Sequence, residues 1–274
     1  MQIVENISEI IRDTLRKRGY KEIIVPTMGD LSLWKENNIV KIIDGKGRVV
    51  ALRPEITSLV IQKVSYYGEP LRLYYMGPIF SYINGEIQER YQIGWELIEE
   101  NKISRDFEAI YLIYEIFSKL NIKEFIIEIN STKIWNYLYS KEKEENMEKL
   151  RKFALKRDYV SLIEESLNKE LMKSLVYYPR SVIKDNDINT VLEELKSFKD
   201  ELIKGGIDNE KISISPILLR PYEYYDGIIF QVYISNLKKA IGGGGSYIKY
   251  NEKGEKISGI GFAFIEDNLR EIYK

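Results

Sequence analysis

One short segment concentrates side chains that could bind a small polar molecule. Residues 220–227 read Arg-Pro-Tyr-Glu-Tyr-Tyr-Asp-Gly, which places one guanidinium, two carboxylates and three phenols within eight residues. A guanidinium such as that of Arg220 pairs bidentately with a carboxylate, and tyrosine rings supply flat walls with hydroxyl donors. The same segment could equally be an aromatic turn before the strand that starts at Ile228. The residues alone leave both interpretations open.

Two further pairs of polar residues have spacings that suit a binding site. Glu55 and Thr57 follow a proline at the predicted start of a helix, although helix caps commonly look like this. Gln92 and Glu96 are four residues apart in a predicted strand, so both side chains lie on the same face. A solvated strand face has the same pattern and is favoured for this pair taken alone.

The run of four glycines at 242–245 is conspicuous but does not match a phosphate-binding loop. No Lys-Ser or Lys-Thr pair follows it, and its spacing is not that of a dinucleotide fold. We therefore predict a bulged hairpin or a close approach between backbones at these positions.

The composition limits the chemistry that is available. The 274 residues contain no Cys and no His, which excludes disulfides, thiolate metal sites and cysteine nucleophiles, and removes the commonest metal ligand. We expect no metal and no cofactor, and any catalysis would rest on carboxylates, Lys, Arg, Tyr or backbone dipoles. With 41 basic and 42 acidic residues the net charge is −1, which argues against extensive nucleic-acid binding.

The sequence shows no targeting or membrane signal. The first residues lack the basic-then-apolar order of a signal peptide, and no apolar run approaches the roughly 18 residues that span a bilayer. We therefore expect a cytoplasmic protein that makes no membrane contact.

Hydrophobic periodicity predicts an α+β protein with an antiparallel sheet, because predicted strands often follow one another without a helix between them. We expect residues 1–130 and 206–274 to form one discontinuous core domain, and residues 131–205 to form a helical insertion. The predicted strands are 22–25, 48–52, 71–80, 91–99, 125–129, 212–214, 227–234, 238–242 and 259–265. The predicted helices of the core are 4–18, 54–66, 104–120 with Ser104 as its cap, and 266–273.

Together these segments resemble, in collinear order over nearly the whole chain, the histidyl-tRNA synthetase family. Residues 19–26 resemble its motif 1, residues 71–80 with 91–96 its motif 2, and residues 259–264 its motif 3. Residues 52–57 resemble the segment that contacts the amino group of the amino acid, residues 220–230 the histidine-binding signature, and residues 240–247 the glycine-rich strand.

The resemblance implies a class II aminoacyl-tRNA synthetase-like fold, an antiparallel sheet flanked by helices. It also implies that a histidine molecule is bound by a shell of retained residues, in which the carboxylates meet the ammonium and ring of the ligand and Arg220 meets its carboxylate. The residues of this shell are Glu55, Thr57, Gln92, Glu96, Arg220, Tyr224, Tyr225 and Tyr247.

The departures from the family concern the ATP site. Ser81 and Ile83 stand where motif 2 has the arginine and the glutamate that hold ATP, Ser246 replaces the arginine of the glycine-rich strand, and Asn268 replaces the arginine of motif 3. Those cations neutralise charge on the transferring group. The sequence ends six residues after Asn268, and we expect no anticodon-binding domain.

A retained amino-acid shell without the ATP cations resembles the family of ATP phosphoribosyltransferase regulatory subunits. That resemblance implies a non-catalytic subunit of histidine biosynthesis, which forms a hetero-oligomer with a short-form catalytic subunit, pairs with itself as a homodimer, and senses L-histidine as an effector. The alternatives are a degenerate histidyl-tRNA synthetase-like enzyme that activates an amino acid with ATP, with Arg90 or Lys238 as replacement cations, and an RNA-binding regulator.

Overall fold

A computed structural model describes residues 2–35, 38–235, 237 and 239–273, with the backbone alone for residues 2–6 and 273. The chain divides into two compact units. Unit 1 is Met1–Lys123, Asn236–Gly243 and Tyr247–Lys274, and unit 2 is Glu124–Ser235 and Gly244–Ser246. The predicted insertion boundaries at residues 131 and 205 stay a prediction.

The strands and helices alternate irregularly along the chain, as expected for an α+β protein. The strands are β1 (Lys21–Glu22), β2 (Met28–Asp30), β3 (Lys41–Ile43), β4 (Val49–Leu52), β5 (Leu71–Ile83), β6 (Glu86–Ile98), β7 (Phe125–Ser131), β8 (Ile212–Ile214), β9 (Tyr225–Ile234), β10 (Ala240–Tyr250) and β11 (Lys256–Ile265). The helices are α1 (Gln2–Lys17), α2 (Thr57–Lys63), α3 (Lys102–Lys119), α4 (Thr132–Lys141), α5 (Glu144–Lys156), α6 (Tyr159–Glu165), α7 (Lys169–Val176), α8 (Asn186–Lys204) and α9 (Glu266–Arg270). None of these helices is long and apolar enough to cross a bilayer.

The main sheet of unit 1 has the order β1-β5-β6-β11-β10. Its centre is the long hairpin of β5 and β6, paired antiparallel from Leu71↔Ile98 to Ile83↔Glu86. The turn between them is Asn84-Gly85, and both residues have positive φ, 54° and 85°. An Asn-Gly pair with this backbone forms the tight turn that suits the twist of a two-stranded hairpin.

The register of this sheet separates an apolar face from a polar one. Trp95 pairs with Phe262 across β6 and β11, and their ring centroids are 4.8 Å apart in the core. Glu96 pairs with Gly261 and therefore lies on the opposite face, together with Gln92 four residues earlier. The sheet thus presents two polar side chains on the face that does not form the aromatic core.

Helix α3 covers the apolar core of unit 1 with one buried face. Its residues Ala109, Ile110, Ile113 and Ile116 are fully buried, at the spacing expected for an amphipathic helix. The cap differs from the prediction: Asn101, not Ser104, caps the helix, because the side chain of Asn101 accepts a hydrogen bond from the Ser104 backbone N–H. The hydroxyl that the sequence suggested as the cap thus lies one turn too late.

Unit 2 combines three strands with a run of helices. Strand β7 lies between β9, to which it is antiparallel, and β8, to which it is parallel. The helices α4 to α8 follow β7 and occupy Thr132 to Lys204, a range in which every residue is described and no strand occurs. The expected helical texture of this stretch is therefore present.

Several details of the sheets differ from the sequence-based expectations. The pairing of β1 with β5 in unit 1 and that of β7 with β8 in unit 2 are parallel, so each unit has mixed and not purely antiparallel strand pairing. The first predicted strand is reduced to the two residues of β1. Of the small separate sheet β2-β4-β3, only β4 was predicted from the sequence, as residues 48–52, whereas β2 and β3 were not. Short strands of two or three residues carry too few alternating side chains to be detected by periodicity.

Candidate functional site

Glu96 is the most deeply buried carboxylate of the predicted shell. It is inaccessible to solvent, and Thr57 Oγ1 donates a hydrogen bond to Glu96 Oε1 at 2.7 Å. Burial raises the pKa of Glu96 to about 8, against the opposing effect of hydrogen bonds from Thr57 and Tyr247. The nearby Glu55 raises this pKa further, whereas Lys249 lowers it. Near neutral pH this carboxyl therefore holds a proton, and a cationic ligand would favour its ionised form.

Two glycines of β11 make room for this arrangement. A Cβ atom at Gly261 would lie 2.2 Å from Glu96 Oε2, and one at Gly259 would lie 2.6 Å from the Tyr247 hydroxyl. Tyr247 is itself buried, which raises the pKa of its phenol well above the usual value. The glycines that carried the resemblance to motif 3 thus have a physical role, because any side chain there would displace the carboxyl or the phenol.

Glu55 lies just before the start of α2 and is held in place by two donors. Trp34 Nε1 donates to Glu55 Oε1 at 2.7 Å, and the backbone N–H of Ser58 lies 3.1 and 3.0 Å from the two carboxylate oxygens. The N-cap residue of α2 is Ile56, which makes no side-chain capping bond, but Glu55 one residue earlier accepts from the first-turn N–H of Ser58 and so has a capping role. This role does not exclude a binding role. We call Glu55, Thr57, Glu96 and Tyr247 the carboxylate cluster.

Gln92 lies on the same strand face as Glu96 and is 8% exposed. Its Oε1 atom is buried and has no hydrogen-bond partner among the residues that the structure describes. A buried acceptor without a donor is costly, so this atom is suited to accept from an N–H group of a ligand. Gln92 and the carboxylate cluster are thus the part of the predicted shell that belongs to unit 1.

Arg220, Tyr224 and Tyr225 belong to unit 2, where they form part of an aromatic segment. The rings of Tyr222 and Tyr224 are stacked with centroids 5.5 Å apart, and those of Tyr224 and Tyr225 are 4.9 Å apart. The backbone before Arg220 is fixed because the Leu218 carbonyl accepts hydrogen bonds from Asn130 Nδ2 at 2.9 Å and from Trp135 Nε1 at 3.0 Å.

Arg220 and Tyr225 line a pocket of about 350 Å³ within unit 2, which we call the unit-2 pocket. Helices α4 and α5 form its other walls. Its lining residues are Thr132, Trp135, Asn136, Tyr139, Glu144, Met147, Glu148, Arg151, Leu219, Arg220, Tyr222, Glu223, Tyr225 and Ile229. The contribution of the two helices was not predicted, because nothing in their local sequence pattern distinguishes these lining residues from an ordinary helix face.

The positions where the family has its ATP-binding residues make other contacts here. Asn268 Nδ2 donates to the Ala240 carbonyl at 2.8 Å, Ser246 is buried, and Ile83 is half-buried at the end of β5. Ser81 is also buried, and Arg90 Nη2 lies 3.4 Å from its hydroxyl. Arg90 therefore places a cation next to Ser81, whereas the other proposed replacement, Lys238, lies outside the described residues.

The described residues contain no group of three or more acidic, His or Cys side chains that could hold a metal ion. Within the carboxylate cluster Thr57 donates to Glu96, whereas Glu55 accepts from Trp34 and Ser58, which lie outside it. The cluster is thus suited to bind an organic cation, such as an ammonium group or a protonated ring.

Comparison with known sequences identifies the family. The family model for histidyl-tRNA synthetase matches residues 1–269. The ATP phosphoribosyltransferase regulatory subunit of Halothermothrix orenii is 30% identical over 300 residues, which cover 97% of this chain and 71% of the relative. The histidine–tRNA ligase of Metallosphaera sedula is 26% identical over 298 residues, covering 96% of this chain and 69% of the relative.

Solved structures support the same fold. An ATP phosphoribosyltransferase regulatory subunit/histidyl-tRNA synthetase from Bacillus halodurans C has a TM-score of 0.82 at 24% identity, covering 98% of this chain and 79% of that chain. The ATP phosphoribosyl transferase (HisG:HisZ) complex from Thermotoga maritima has a TM-score of 0.68 at 19% identity, covering 96% of this chain and 97% of that chain. The predicted class II aminoacyl-tRNA synthetase-like α+β fold is confirmed. Together with the family model, these matches show that this chain belongs to the histidyl-tRNA synthetase family.

Proposed function

We propose that this chain is a regulatory subunit of ATP phosphoribosyltransferase in histidine biosynthesis, and that it has no catalytic activity of its own. The observation that supports the proposal most strongly is the contrast between two sets of residues. The carboxylate cluster is retained, whereas the positions at which the family binds ATP are uncharged, namely Ser81, Ile83, Ser246 and Asn268. Relatives that carry the name of this regulatory subunit match 97% of the chain at 30% and 27% identity. Adenylation needs cations that stabilise the transferring group, so their loss fits a binding role.

The effector that suits the retained shell is free L-histidine. Glu55 and Glu96 supply carboxylates for an ammonium group and a protonatable ring, and Gln92 supplies a buried acceptor. By the family resemblance, Arg220 binds the carboxylate of the ligand, with Tyr224, Tyr225 and Tyr247 as walls. Because a bound cation would favour the ionised form of Glu96, we expect histidine binding to be coupled to the release of a proton from this carboxyl.

The partner in this proposal is a short-form catalytic subunit, and the chain also pairs with a second copy of itself in the cytoplasm. Apolar side chains exposed in the motif 1 segment and in the small sheet support the pairing. Ile24 is 92% exposed and Ile43 is 75% exposed, and Ile43 lies directly opposite the half-exposed Val49 in the small sheet. Large apolar side chains that stand together on a surface mark an interaction site, and two-fold pairing is the commonest solution.

Reconstitution tests the proposal. The full chain is mixed with a short-form catalytic subunit, and phosphoribosyl transfer to ATP is measured with and without L-histidine. We expect the chain to be required for full activity and histidine to inhibit the mixture. The Glu96→Gln variant should still assemble with its partner in size-exclusion chromatography with light scattering but lose the response to histidine. Full activity of the catalytic subunit alone, or a response to histidine that Glu96→Gln leaves unchanged, contradicts the proposal.

A second function is favoured by one specific contact. Arg90 Nη2 lies 3.4 Å from Ser81 Oγ, so one guanidinium remains where motif 2 of the synthetases has its arginine. A degenerate enzyme that activates an amino acid with ATP would use this cation. Histidine-dependent exchange of pyrophosphate into ATP distinguishes the two functions. We expect no exchange, and exchange that disappears in Arg90→Gln would support the enzyme.

A further inference from the structure

Lys249, on β10, brings a positive charge of the chain itself to the carboxylate cluster. We propose that Lys249 determines the charge selectivity of the cluster and limits it to ligands with one positive charge, an ammonium group whose side chain is uncharged. The inference rests on the proposed effector role of the cluster and adds the charge state of the ligand. The resemblance to the glycine-rich strand ends at residue 247, so it implies no role for Lys249.

The side chain of Lys249 reaches the cluster through Ser58. Lys249 Nζ donates a hydrogen bond to Ser58 Oγ at 2.7 Å, and Ser58 is buried. The backbone N–H of the same serine lies 3.1 and 3.0 Å from the two carboxylate oxygens of Glu55 and donates to them. Ser58 therefore links the ammonium group of Lys249 to the carboxylate of Glu55.

The position of Lys249 in β10 also directs it to the second carboxylate, that of Glu96. Tyr247 and Lys249 are two residues apart in the strand, so their side chains share one face. Burial raises the pKa of Glu96 to about 8, and both the hydrogen bond from Tyr247 and the charge of Lys249 oppose this rise. Lys249 therefore acts on Glu96 as well as on Glu55.

Contacts that follow Lys249 fix the end of β10 against α2. Gln62 Nε2 donates to the Tyr250 carbonyl at 3.1 Å, and Asn251 Nδ2 donates to the Val64 carbonyl at 2.8 Å. Holding a lysine side chain in one place costs conformational entropy, and this cost is smaller where the backbone is already fixed. We therefore expect the ammonium group of Lys249 to stay at the cluster when a ligand binds.

The charges of the cluster then balance only one positive charge of a ligand. The ammonium group of Lys249 offsets the carboxylate of Glu55, which leaves the ionised form of Glu96 to pair with the ammonium group of the ligand. A second positive charge, such as that of a protonated ring, would find no further carboxylate in the cluster. Burying an unpaired charge costs free energy, so L-histidine should bind with its ring uncharged.

Calorimetric titration of the full-length chain tests this selectivity with two ligands, L-histidine and L-triazolylalanine, in which nitrogen replaces one ring CH group. The triazole ring stays uncharged between pH 5.5 and pH 7.5, whereas the imidazole ring, with a pKa of about 6.5, takes up a proton. Titration of the protein affects both ligands alike, so the ratio of their affinities reports the charge on the ring. In wild type the affinity for histidine relative to triazolylalanine should fall about tenfold at the lower pH, in step with the uncharged fraction of imidazole.

Variants of Lys249 separate its charge from its hydrogen bond. Lys249→Gln keeps a donor for Ser58 but removes the charge, so the affinity ratio should change less than about twofold with pH because Glu55 can pair with the protonated ring. Lys249→Arg keeps the charge and should behave like wild type. Lys253→Gln is the matched control, because Lys253 is exposed and its Nζ contacts Ser65, which lies outside the cluster. Circular dichroism verifies folding, and Lys249→Met provides the same test if Lys249→Gln does not fold.

The outcomes separate this inference from the proposed function. If wild type and Lys249→Gln bind histidine with the same dependence of the affinity ratio on pH, the inference is overturned and the effector role stands. A ratio that does not change with pH in wild type, or triazolylalanine that fails to bind where histidine binds, also overturns the inference alone. Loss of the wild-type behaviour in Lys249→Arg would show a structural role and not one of charge. If neither ligand binds to wild type, the effector role and the inference both fail.

Discussion

The carboxylate cluster of unit 1 and the unit-2 pocket are both polar sites, but the carboxylates of the cluster are buried whereas those of the pocket are exposed. In the cluster, Glu96 is buried and hydrogen-bonded by Thr57, and burial raises the pKa of Glu96 to about 8. In the pocket, the residues Glu144, Glu148 and Glu223 are exposed. Burying a charged group costs free energy, so its ionisation responds to pH and to charged ligands. Solvent and salt screen an exposed charge. The first region is suited to sense a ligand by changing its protonation, and the second to attract one.

The largest expected difference between the two regions is in pH dependence. The pKa of Glu96 is raised from 4.5 to about 8 in the folded chain, so between these values the folded state holds a proton that the unfolded state lacks. The stability from this proton is fully present below pH 4.5 and is lost as the pH rises through about 8. The loss amounts to at most about 1.4 kcal/mol per pH unit.

Urea unfolding of wild type, Glu96→Gln and Glu148→Gln between pH 5 and pH 9 measures this effect. Wild type and Glu148→Gln should lose stability with rising pH more steeply than Glu96→Gln, because an amide cannot ionise. Parallel curves for wild type and Glu96→Gln would show that the cluster is not protonated near neutral pH.

The next effect concerns the glycines that make room in the cluster. Gly261→Ala would place a methyl group 2.2 Å from Glu96 Oε2, and the carboxyl must move. Overpacking of this kind costs about 1–3 kcal/mol of unfolding free energy, and we expect histidine binding to be lost with it. Gly45→Ala is the matched control, because its added methyl group would meet no atom within 4 Å. Thermal denaturation and calorimetry of both variants give the comparison, and equal behaviour would mean that the cluster adapts freely.

The smallest effect is expected at the pocket. Glu148 lies 3.8 Å from Lys152, and both side chains are more than half exposed. Surface pairs of this kind contribute about 0–1 kcal/mol, so Glu148→Gln should change the free energy of unfolding by less than about 0.5 kcal/mol. A loss comparable to that of Gly261→Ala would indicate that the pocket carboxylates are structurally required and would remove the contrast between the two regions.

The sequence predicted the structure best where a pattern extended over many consecutive residues. The alternation of β6 placed Gln92 and Glu96 on one face, and the register with β11 confirms this. The predicted end of the first helix at residue 18 is also confirmed to within one residue, since α1 ends at Lys17 and Gly19 follows with a φ of 82°. The Asn84-Gly85 turn was not predicted, although an Asn-Gly pair is a typical hairpin turn. The strand that follows it was predicted to begin at Tyr91, whereas β6 begins at Glu86.

The sequence by itself determined the family, through motifs in collinear order, and the absence of the ATP-site charges at Ser81, Ile83, Ser246 and Asn268. It also determined that no His or Cys takes part in any site. Only the tertiary structure decided that Glu55 both caps α2 and joins the cluster, that Arg90 lies against Ser81, and that α4 and α5 form the walls around Arg220. The physical reason is that burial, and with it the protonation of Glu96, depends on residues far apart in the chain, such as Thr57, Tyr247 and Gly261, which no local pattern connects.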